Sequence, residues 1–432
     1  MSALTQQWTE TFRADFHPAG PEWLNETREK AARSLEANGL PVRRDEAWKY
    51  TPMRVLESMN PSIRGLKDDP TGVEVALPDE DLLENPDQVI DIFDGVFADC
   101  RPLNREGITV LSLEQGLVAY EARLRDWIEK VDITGSAGAF AALNTAFLEQ
   151  GVVIVVGENF DAGDLLLRWT FSGRHEAGMH NVRIVLLLET GAKLRLTEQF
   201  IDNAEQARAL NVINHFELGQ SSELDHIRVQ HEPEDTILIS STQVRQAARS
   251  QYRHAGFDLG GALVRHELAA ELAGPGAHAA FTGAFVLDGD RHVDTHASVD
   301  HAARDCSSEQ FFRGVLGGRS RGVFNGRALI RPGADGSSVR QSNANLLLSD
   351  LAEMDTKPEL EIYADEVEAS HGATVGQLDE IAVFYLRSRG LSEAAARGIL
   401  TGAFCRAVSD RLDDKKLAAK IAELIDKAMP SQ

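Results

Sequence analysis

The sequence predicts a mainly β core flanked by helices. Between residues 151 and 374, short strand-like runs follow one another without intervening long helices. Before and after this region the apolar residues recur at helical spacing. The turns between the runs fall at uneven intervals, which favours the stacked coils of a β-solenoid, with a double-sheet jelly roll as the alternative. We therefore divide the chain into a mostly helical region 1–150, a β core 151–374 and a helical region 375–432.

The composition restricts the function classes. The chain has 432 residues and a formal net charge of −23, so we expect neither nucleic acid nor an anionic membrane as a partner. The first residues carry no secretory signal pattern, and the apolar runs are far shorter than the ~20 residues that span a bilayer. Cys100, Cys306 and Cys405 lie far apart without metal-site spacing, which suits a reducing compartment. These features predict a cytoplasmic protein that does not supply the four thiolates of an ordinary iron-sulfur site.

The N-terminal region begins with two predicted helices. Trp8, Phe12 and Phe16 recur at four-residue intervals, and an alanine-rich helical stretch follows over 24–40. The basic and acidic cluster at 43–46 is typical of a solvated turn with local ion pairs.

A linker with one hairpin is predicted over 61–110. The stretch DIFDGVFADC centres on Asp94 and Gly95, a tight-turn dipeptide. Helical spacing returns over 113–131 and again in FAALNTAFLEQ, after which the period changes to that of strands.

Twelve strand-like runs make up the predicted β core. They are VVIVV, DLLLRWTF, VRIVLLL, KLRLTEQF, ALNVINHFEL, ELDHIRVQ, DTILISSTQV, ALVRHELAAEL, AFTGAFVL, HVDTHASV, GVFNGRALI and LEIYA. Their number indicates one large β unit.

Three amphipathic helices are predicted at the C-terminal end, with Asp379, Ser392 and Asp413 placed to begin them. The second helix has an apolar face of residues at three- and four-residue steps: Ala396, Ile399, Leu400, Ala403, Phe404, Ala407 and Val408. Such faces need a surface, so the helices either cover the solenoid or dock another protein.

The densest polar cluster lies at residues 291–306. In a strand, His292, Asp294 and His296 point to one face, as metal ligands would. The alternative is a hydrogen-bonded ladder of polar side chains on a half-exposed sheet. A solenoid metal-dependent enzyme that uses this face is the rival functional hypothesis.

Common catalytic motifs are absent from the sequence. It contains no GxxxxGK[ST] phosphate loop, no GxSxG elbow and no HExxH helix. We therefore expect no ATP site of the chain's own. Cys405 follows Phe404 in the predicted apolar face of a helix, where a buried small hydrophobe is expected rather than a nucleophile.

His371 is the other candidate residue. It follows the last predicted strand, between small residues that leave the imidazole accessible. A neutral ring nitrogen suits a transition metal such as iron, while a purely structural histidine is the alternative.

Several longer stretches resemble the SufB/SufD family of iron-sulfur cluster assembly proteins. They are RRDEAWKYT near the N-terminus, ALNTAF, SSEQFFRGVLGGRSRGVFNGR, SNANLLLSD, KPELEIYADEVEASHGATVGQLDE and FYLRSRGL. The resemblance covers most of the chain.

Two features favour the SufD branch of this family over the SufB branch. SufB-like chains carry Glu-His-Glu-Ala at the histidine motif, where this chain has Ser370, His371, Gly372 and Ala373. The preceding stretch, residues 339–361, contains no cysteine to anchor a nascent cluster. Many SufD-like chains also have a cysteine two residues before the histidine, and here that residue is Ala369, so any thiolate role at that position is absent.

The resemblance implies a right-handed parallel β-helix between two helical domains. It implies a SufB-SufC2-SufD complex that builds iron-sulfur clusters de novo, in which this chain is a non-enzymatic scaffold. The β-helix edge would pair with SufB, or with a second copy when SufB is absent, and His371 would serve the transient cluster. The C-terminal helices would dock the ABC-type ATPase SufC through a region that includes Tyr385, Arg387, Arg389, Leu391, Leu400 and Phe404. Reduced flavin is a candidate cofactor of the complex, although the sequence shows no flavin fingerprint.

Overall fold

The computed structural model describes residues 2–63, 81–101, 105–171, 178–201, 207–231 and 235–430. Within these ranges the helices are α1 (Ala3–Asp15), α2 (Glu22–Asn38), α3 (Arg54–Met59), α4 (Leu113–Ala119), α5 (Glu121–Glu129), α6 (Ala139–Ala146), α7 (Glu380–Ser388), α8 (Glu393–Ser409) and α9 (Lys415–Ala428). None of these described helices combines the length and the apolar character needed to cross a bilayer.

The strands of the described ranges begin with short N-terminal ones: β1 (Ser62–Ile63), β2 (Gln88–Phe93), β3 (Val96–Arg101) and β4 (Ile108–Ser112). The longer strands that follow are β5 (Gln150–Val156), β6 (Asp161–Thr170), β7 (Gly178–Leu188), β8 (Lys193–Ile201), β9 (Arg208–Leu218), β10 (Glu223–Gln230), β11 (Thr236–Gln246), β12 (Gln251–Asp258), β13 (Leu263–Leu272), β14 (His278–Leu287), β15 (His292–His301), β16 (Ser307–Leu316), β17 (Arg321–Ile330), β18 (Ser338–Leu347), β19 (Glu353–Ile362) and β20 (Glu368–Gly376).

Strands β5 to β20 alternate between two parallel sheets. Sheet one has the order β19-β17-β15-β13-β11-β9-β7-β5-β4, and sheet two has the order β20-β18-β16-β14-β12-β10-β8-β6-β2-β3. Each strand pairs in parallel with the strand two places further along the chain. The chain therefore winds as a β-solenoid, as predicted, whereas a jelly roll would be antiparallel.

Four solenoid strands were not predicted from the sequence, namely β12, β16, β18 and β20. They all belong to sheet two. In β12, β16 and β18 many inward positions carry polar or aromatic side chains instead of aliphatic ones, such as His254, Gln310 and Asn343, all buried. An interior with so many polar groups lacks the apolar alternation by which strands are recognised. The predicted LEIYA strand overlaps only the end of β19, because β19 begins earlier, at Glu353.

The predicted hairpin is present. Strands β2 and β3 are antiparallel and join at Asp94 (φ 46°) and Gly95 (φ 80°). Two successive positive φ values are the signature of a type I′ turn. The hairpin extends sheet two, because β2 pairs in parallel with β6. Residues 64–80 of the predicted linker lie outside the described residues.

Helices cover the outer faces of both sheets. The N-terminal helices pack on sheet one, where Trp8 and Leu143 are fully buried in a cluster that includes Ile237 and Leu263. The C-terminal helices α8 and α9 pack on sheet two, in a cluster with Val229, Phe257, Val286 and Val315. The solenoid interior forms a separate core between the sheets.

Two details of the C-terminal prediction were wrong. The third helix is capped by Asp414, whose side chain accepts from the backbone N–H groups of Lys416 and Leu417 at 2.9 and 3.0 Å, and not by Asp413. The buried face of α8 consists of Ala396, Thr401, Gly402, Cys405, Val408 and Ser409. Small residues let the helix approach its neighbours closely, so Ile399 of the predicted face stays 46% exposed.

Candidate functional site

His371 lies within β20, the edge strand of sheet two at the C-terminal end of the solenoid. Every residue from Glu368 to Gly376 is exposed. Strand β20 pairs with β18 on one side only, and its other edge has no partner strand within the described chain. An unpaired, uncovered edge of this kind is a template for another strand. The predicted accessibility of the imidazole is therefore matched by the structure.

The register places His371 on the inward side of its strand. It lies opposite Gln341 in the β18–β20 pair, and Gln341 lies opposite Gln310 in the β16–β18 pair. Both glutamines are buried in the solenoid interior. Since aligned residues of parallel strands point the same way, His371 continues a column of interior side chains at the open end.

No thiolate accompanies His371. All three cysteines are free and buried, and Ala369 lies opposite Val339 in the same pair of strands. Burial raises the pKa of the Cys405 thiol to about 12 and also raises the pKa of Cys306. These thiols are therefore protonated at neutral pH, which fits the expectation that Cys405 is a small buried hydrophobe.

The RRDEAWKYT stretch fastens the N-terminal region to sheet one. Its first part, Arg43 and Arg44, is exposed as predicted. Trp48 and Thr51 in its second part are buried, and the guanidinium of Arg265 lies 4.0 Å from the ring centroid of Trp48. The Thr51 hydroxyl donates to Asp294 and lies 2.9 Å from Nε2 of His292. This docking was not predicted from the sequence, although Trp48 and Thr51 follow the charged cluster and were the available signal.

His292, Asp294 and His296 form the polar ladder rather than a shared ligand set. The Asp294 carboxylate accepts from Arg265 and Thr51, and His296 lies 3.2 Å from its other oxygen. Burial would raise the pKa of Asp294, but the charge of Arg265 and the contacts with His296 and Thr51 together outweigh burial and lower that pKa. Among the described residues no group of three or more His, Cys, Asp and Glu side chains is placed to hold a metal ion. The metal site at His292 and His296 stays a prediction that this geometry disfavours.

A cleft of about 790 Å³ separates the 43–50 segment from sheet one. Its wall includes Asp294 and His296, and its rim carries Arg43, Arg44 and Lys49. Because the Asp294 carboxylate is already bound by a guanidinium, it is a poor general base. The cleft therefore adds little to the enzyme hypothesis.

The ALNTAF stretch forms a second anchor of the same kind. Asn144 donates to the backbone carbonyls of Val182 and Asn211 at 3.1 and 2.8 Å. Its own side-chain oxygen accepts from the fully buried Arg183 at 2.8 Å. Two N-terminal motifs thus dock onto sheet one through buried arginines.

The C-terminal helices expose apolar side chains away from the solenoid. Ile381, Phe384 and Tyr385 of α7 are 78, 70 and 56% exposed, and Ile399 of α8 is 46% exposed. Of the predicted docking residues, Arg387 and Arg389 are exposed, whereas Leu391, Leu400 and Phe404 are half-buried. Phe404 packs at the border of the cluster on sheet two. Ile381, Phe384 and Tyr385 share one face of α7, which packs against α8. We call these three side chains and Ile399 the apolar patch of α7 and α8, which no described part of the chain covers.

Comparisons with known proteins place the chain in a family. Residues 171–404 match the model of the SufBD core domain of the SUF system for FeS cluster assembly. Because this match spans more than half of the chain, the protein belongs to the SufB/SufD family of iron-sulfur cluster assembly proteins.

Within the family the similarity is to SufD. The chain is 28% identical to the iron-sulfur cluster assembly protein SufD of Escherichia coli, over 99% of this chain and 97% of that protein. It is 27% identical to a SufBD family protein of Synechocystis (92% and 89% covered) and 25% identical to the chloroplastic protein ABCI7 of Arabidopsis thaliana (91% and 84% covered). The recognition made from the sequence is confirmed.

Proposed function

We propose that the protein is the SufD-type scaffold subunit of a SufB-SufC2-SufD complex that assembles iron-sulfur clusters in the cytoplasm. The observation that carries this proposal is the last solenoid strand, β20, which is fully exposed and presents His371. The chain contributes no accessible thiolate, so the cluster-binding cysteine belongs to SufB. His371 then offers a ring nitrogen to iron at the boundary between the two chains.

The free edges of β19 and β20 give SufB its docking surface. Strand pairing at an edge uses backbone groups and buries the open end of the interior. In the absence of SufB the same edges accept a second copy of this chain. The buried, reduced cysteines suit the cytoplasm.

The apolar patch of α7 and α8 gives SufC its docking surface. Helices that leave large apolar side chains exposed on one side are suited to pack against another protein. Nucleotide chemistry belongs to SufC, since this sequence has no phosphate loop.

Proline variants of β20 test the edge pairing. Neighbouring residues of a strand direct their N–H groups to opposite sides, so one of Gly372→Pro and Ala373→Pro removes an outward donor and places a ring on the edge. We expect that variant to lose co-purification with SufB while it still binds SufC. Gly372→Ala, which keeps the N–H group and meets no atom within 4 Å, should retain both partners. If both proline variants retain SufB, pairing does not use this edge.

A further inference from the structure

The interior column beneath His371 is an amide ladder. Nε2 of Gln341 donates to Oε1 of Gln310 at 3.3 Å and to the backbone carbonyl of Gly326 at 3.1 Å. Gln310 donates in turn to the carbonyls of Ala297 and Arg327 at 3.3 and 3.1 Å. Both contacts of Gln341 are with oxygens, so its NH₂ group must face them, and the orientation of the amide is fixed.

The ladder ends with an acceptor that is not used. Gln341 is only 6% exposed, and its Oε1 is buried and has no hydrogen-bond partner in the described chain. A buried carbonyl oxygen without a donor is unusual in a folded protein. The next position of the column is His371, one strand spacing of roughly 4.8 Å away. Its imidazole has no partner within the described chain.

We propose that Gln341 is the positioning residue of His371: its free Oε1 accepts one ring N–H, which directs the lone pair of the other ring nitrogen toward iron. This inference rests on the proposed role of His371 in cluster assembly. A neutral imidazole has one donor and one acceptor nitrogen, and a hydrogen bond to the donor fixes the tautomer and the ring orientation. Pairing of SufB over the open end removes the water around the exposed His371 imidazole, so a hydrogen bond to the buried Oε1 of Gln341 then satisfies both groups.

The hydrogen-bonding capacity of Gln341 gives a reason for a polar residue at this buried position. Gln341 precedes the SNANLLLSD stretch, and an aliphatic residue there would fill the interior equally well. The amide of Gln341 offers both functions: its NH₂ group donates to the ladder, and its Oε1 is left to accept from a further donor.

Cluster reconstitution on the complex with SufB and SufC tests this role. Gln341→Met removes the acceptor at similar volume. Gln341→Glu keeps an acceptor oxygen in the same place, and in the neutral form that burial favours its O–H group replaces the N–H donor toward Gln310. Gln310→Met is the matched control, since it removes an amide of the same ladder one strand deeper. We expect Gln341→Met to lower the cluster yield at least about tenfold, while Gln341→Glu restores most of it and Gln310→Met stays near the wild-type yield. All variants should melt within a few degrees of one another and bind both partners.

The outcomes separate this inference from the proposed function. If His371→Ala loses the cluster but Gln341→Met does not, Gln341 has no positioning role and the function proposal stands. Equal losses for Gln341→Met and Gln310→Met, without rescue by Gln341→Glu, would show that the ladder is only structural. A full yield from His371→Ala overturns both proposals.

Discussion

At the scale of the residue, a buried ion pair holds the N-terminal region on the solenoid. Arg265 is fully buried between Trp48 and the carboxylates of Asp294 and Glu267. Arginine suits this place because its planar group stacks on an aromatic ring while its edge binds carboxylates. A buried charge of this kind depends on its partner, since neither can be solvated alone.

Removal of this arginine is therefore expected to destabilise the fold strongly. Arg265→Met should lower the free energy of unfolding by about 3–5 kcal/mol, because it leaves the Asp294 charge buried without its cation. Arg327→Met is the matched control: its ion pair with Glu361 is 2.7 Å long but more than a third exposed on both sides, so its loss should cost less than about 1 kcal/mol. Urea unfolding followed by circular dichroism measures both. Similar losses for the two variants would contradict the anchoring role.

At the scale of the element, the C-terminal helices have an inner surface of small residues and an outer surface with larger apolar ones. The small residues of α8, such as Gly402 and Cys405, face inward and let the helix lie close to its neighbours. The larger Ile399 and the α7 residues Ile381 and Phe384 remain outside. Apolar periodicity alone assigns the large residues to the core, which explains why the predicted face of α8 was rotated from the observed one.

Charged substitutions in the exposed patch test the proposed docking of SufC. Phe384→Glu combined with Ile399→Glu should abolish co-purification of SufC, because charged groups would be buried unpaired at the interface. The fold and SufB binding should persist, since neither side chain contributes to the solenoid core. Val118→Glu on α4 is the control, as Val118 is 85% exposed far from these helices in the chain. Retention of SufC by the double variant would place the docking surface elsewhere, for instance at the half-buried Leu400 and Phe404.

The elements also show what the sequence could predict. Strands with aliphatic alternation, such as β7 and β13, and the turn at Asp94 and Gly95 were recognised because their signals are local. Strand β20 was not recognised as a strand, because its only large aliphatic side chain is Val375 and its neighbours are small or polar. His371 was selected by its context, but the significance of Gln341 depends on strand register, which no local pattern contains.

At the scale of the whole molecule, folding holds several buried histidines in the neutral form. Burial lowers the pKa of His292 and of His301 to about 4 each, and burial likewise lowers the pKa of His254 and His266. An unfolded chain would protonate these residues near their ordinary pKa of about 6.5. Folding therefore keeps protons off the imidazoles.

This difference predicts the pH dependence of stability. Above about pH 6.5 both states are neutral and stability is at its full value. As the pH falls from 6.5 toward 4 the unfolded state binds protons first, so stability falls, by up to about 2 kcal/mol for His292 between pH 7 and pH 5. Urea unfolding at these two pH values should show the loss, and His292→Gln should reduce it by roughly that share. An unchanged pH dependence in the variant would contradict the assignment of His292 as neutral and buried.

The arrangement of the whole chain suggests which functional groups this chain contributes to the proposed complex. Helices cover the outer faces of both sheets, while β20 leaves the C-terminal end of the interior open with His371 at its edge. In our account the partners supply the thiolate and the nucleotide chemistry, and this chain supplies a positioned nitrogen and two docking surfaces.

The most direct test is cluster build-up on the reconstituted complex that carries His371→Ala. The variant should assemble with SufB and SufC normally, because the β20 edge pairs through its backbone, yet it should form almost no cluster, as followed by visible absorption and by iron and sulfide content. Wild-type cluster yield from an intact His371→Ala complex would contradict the central claim.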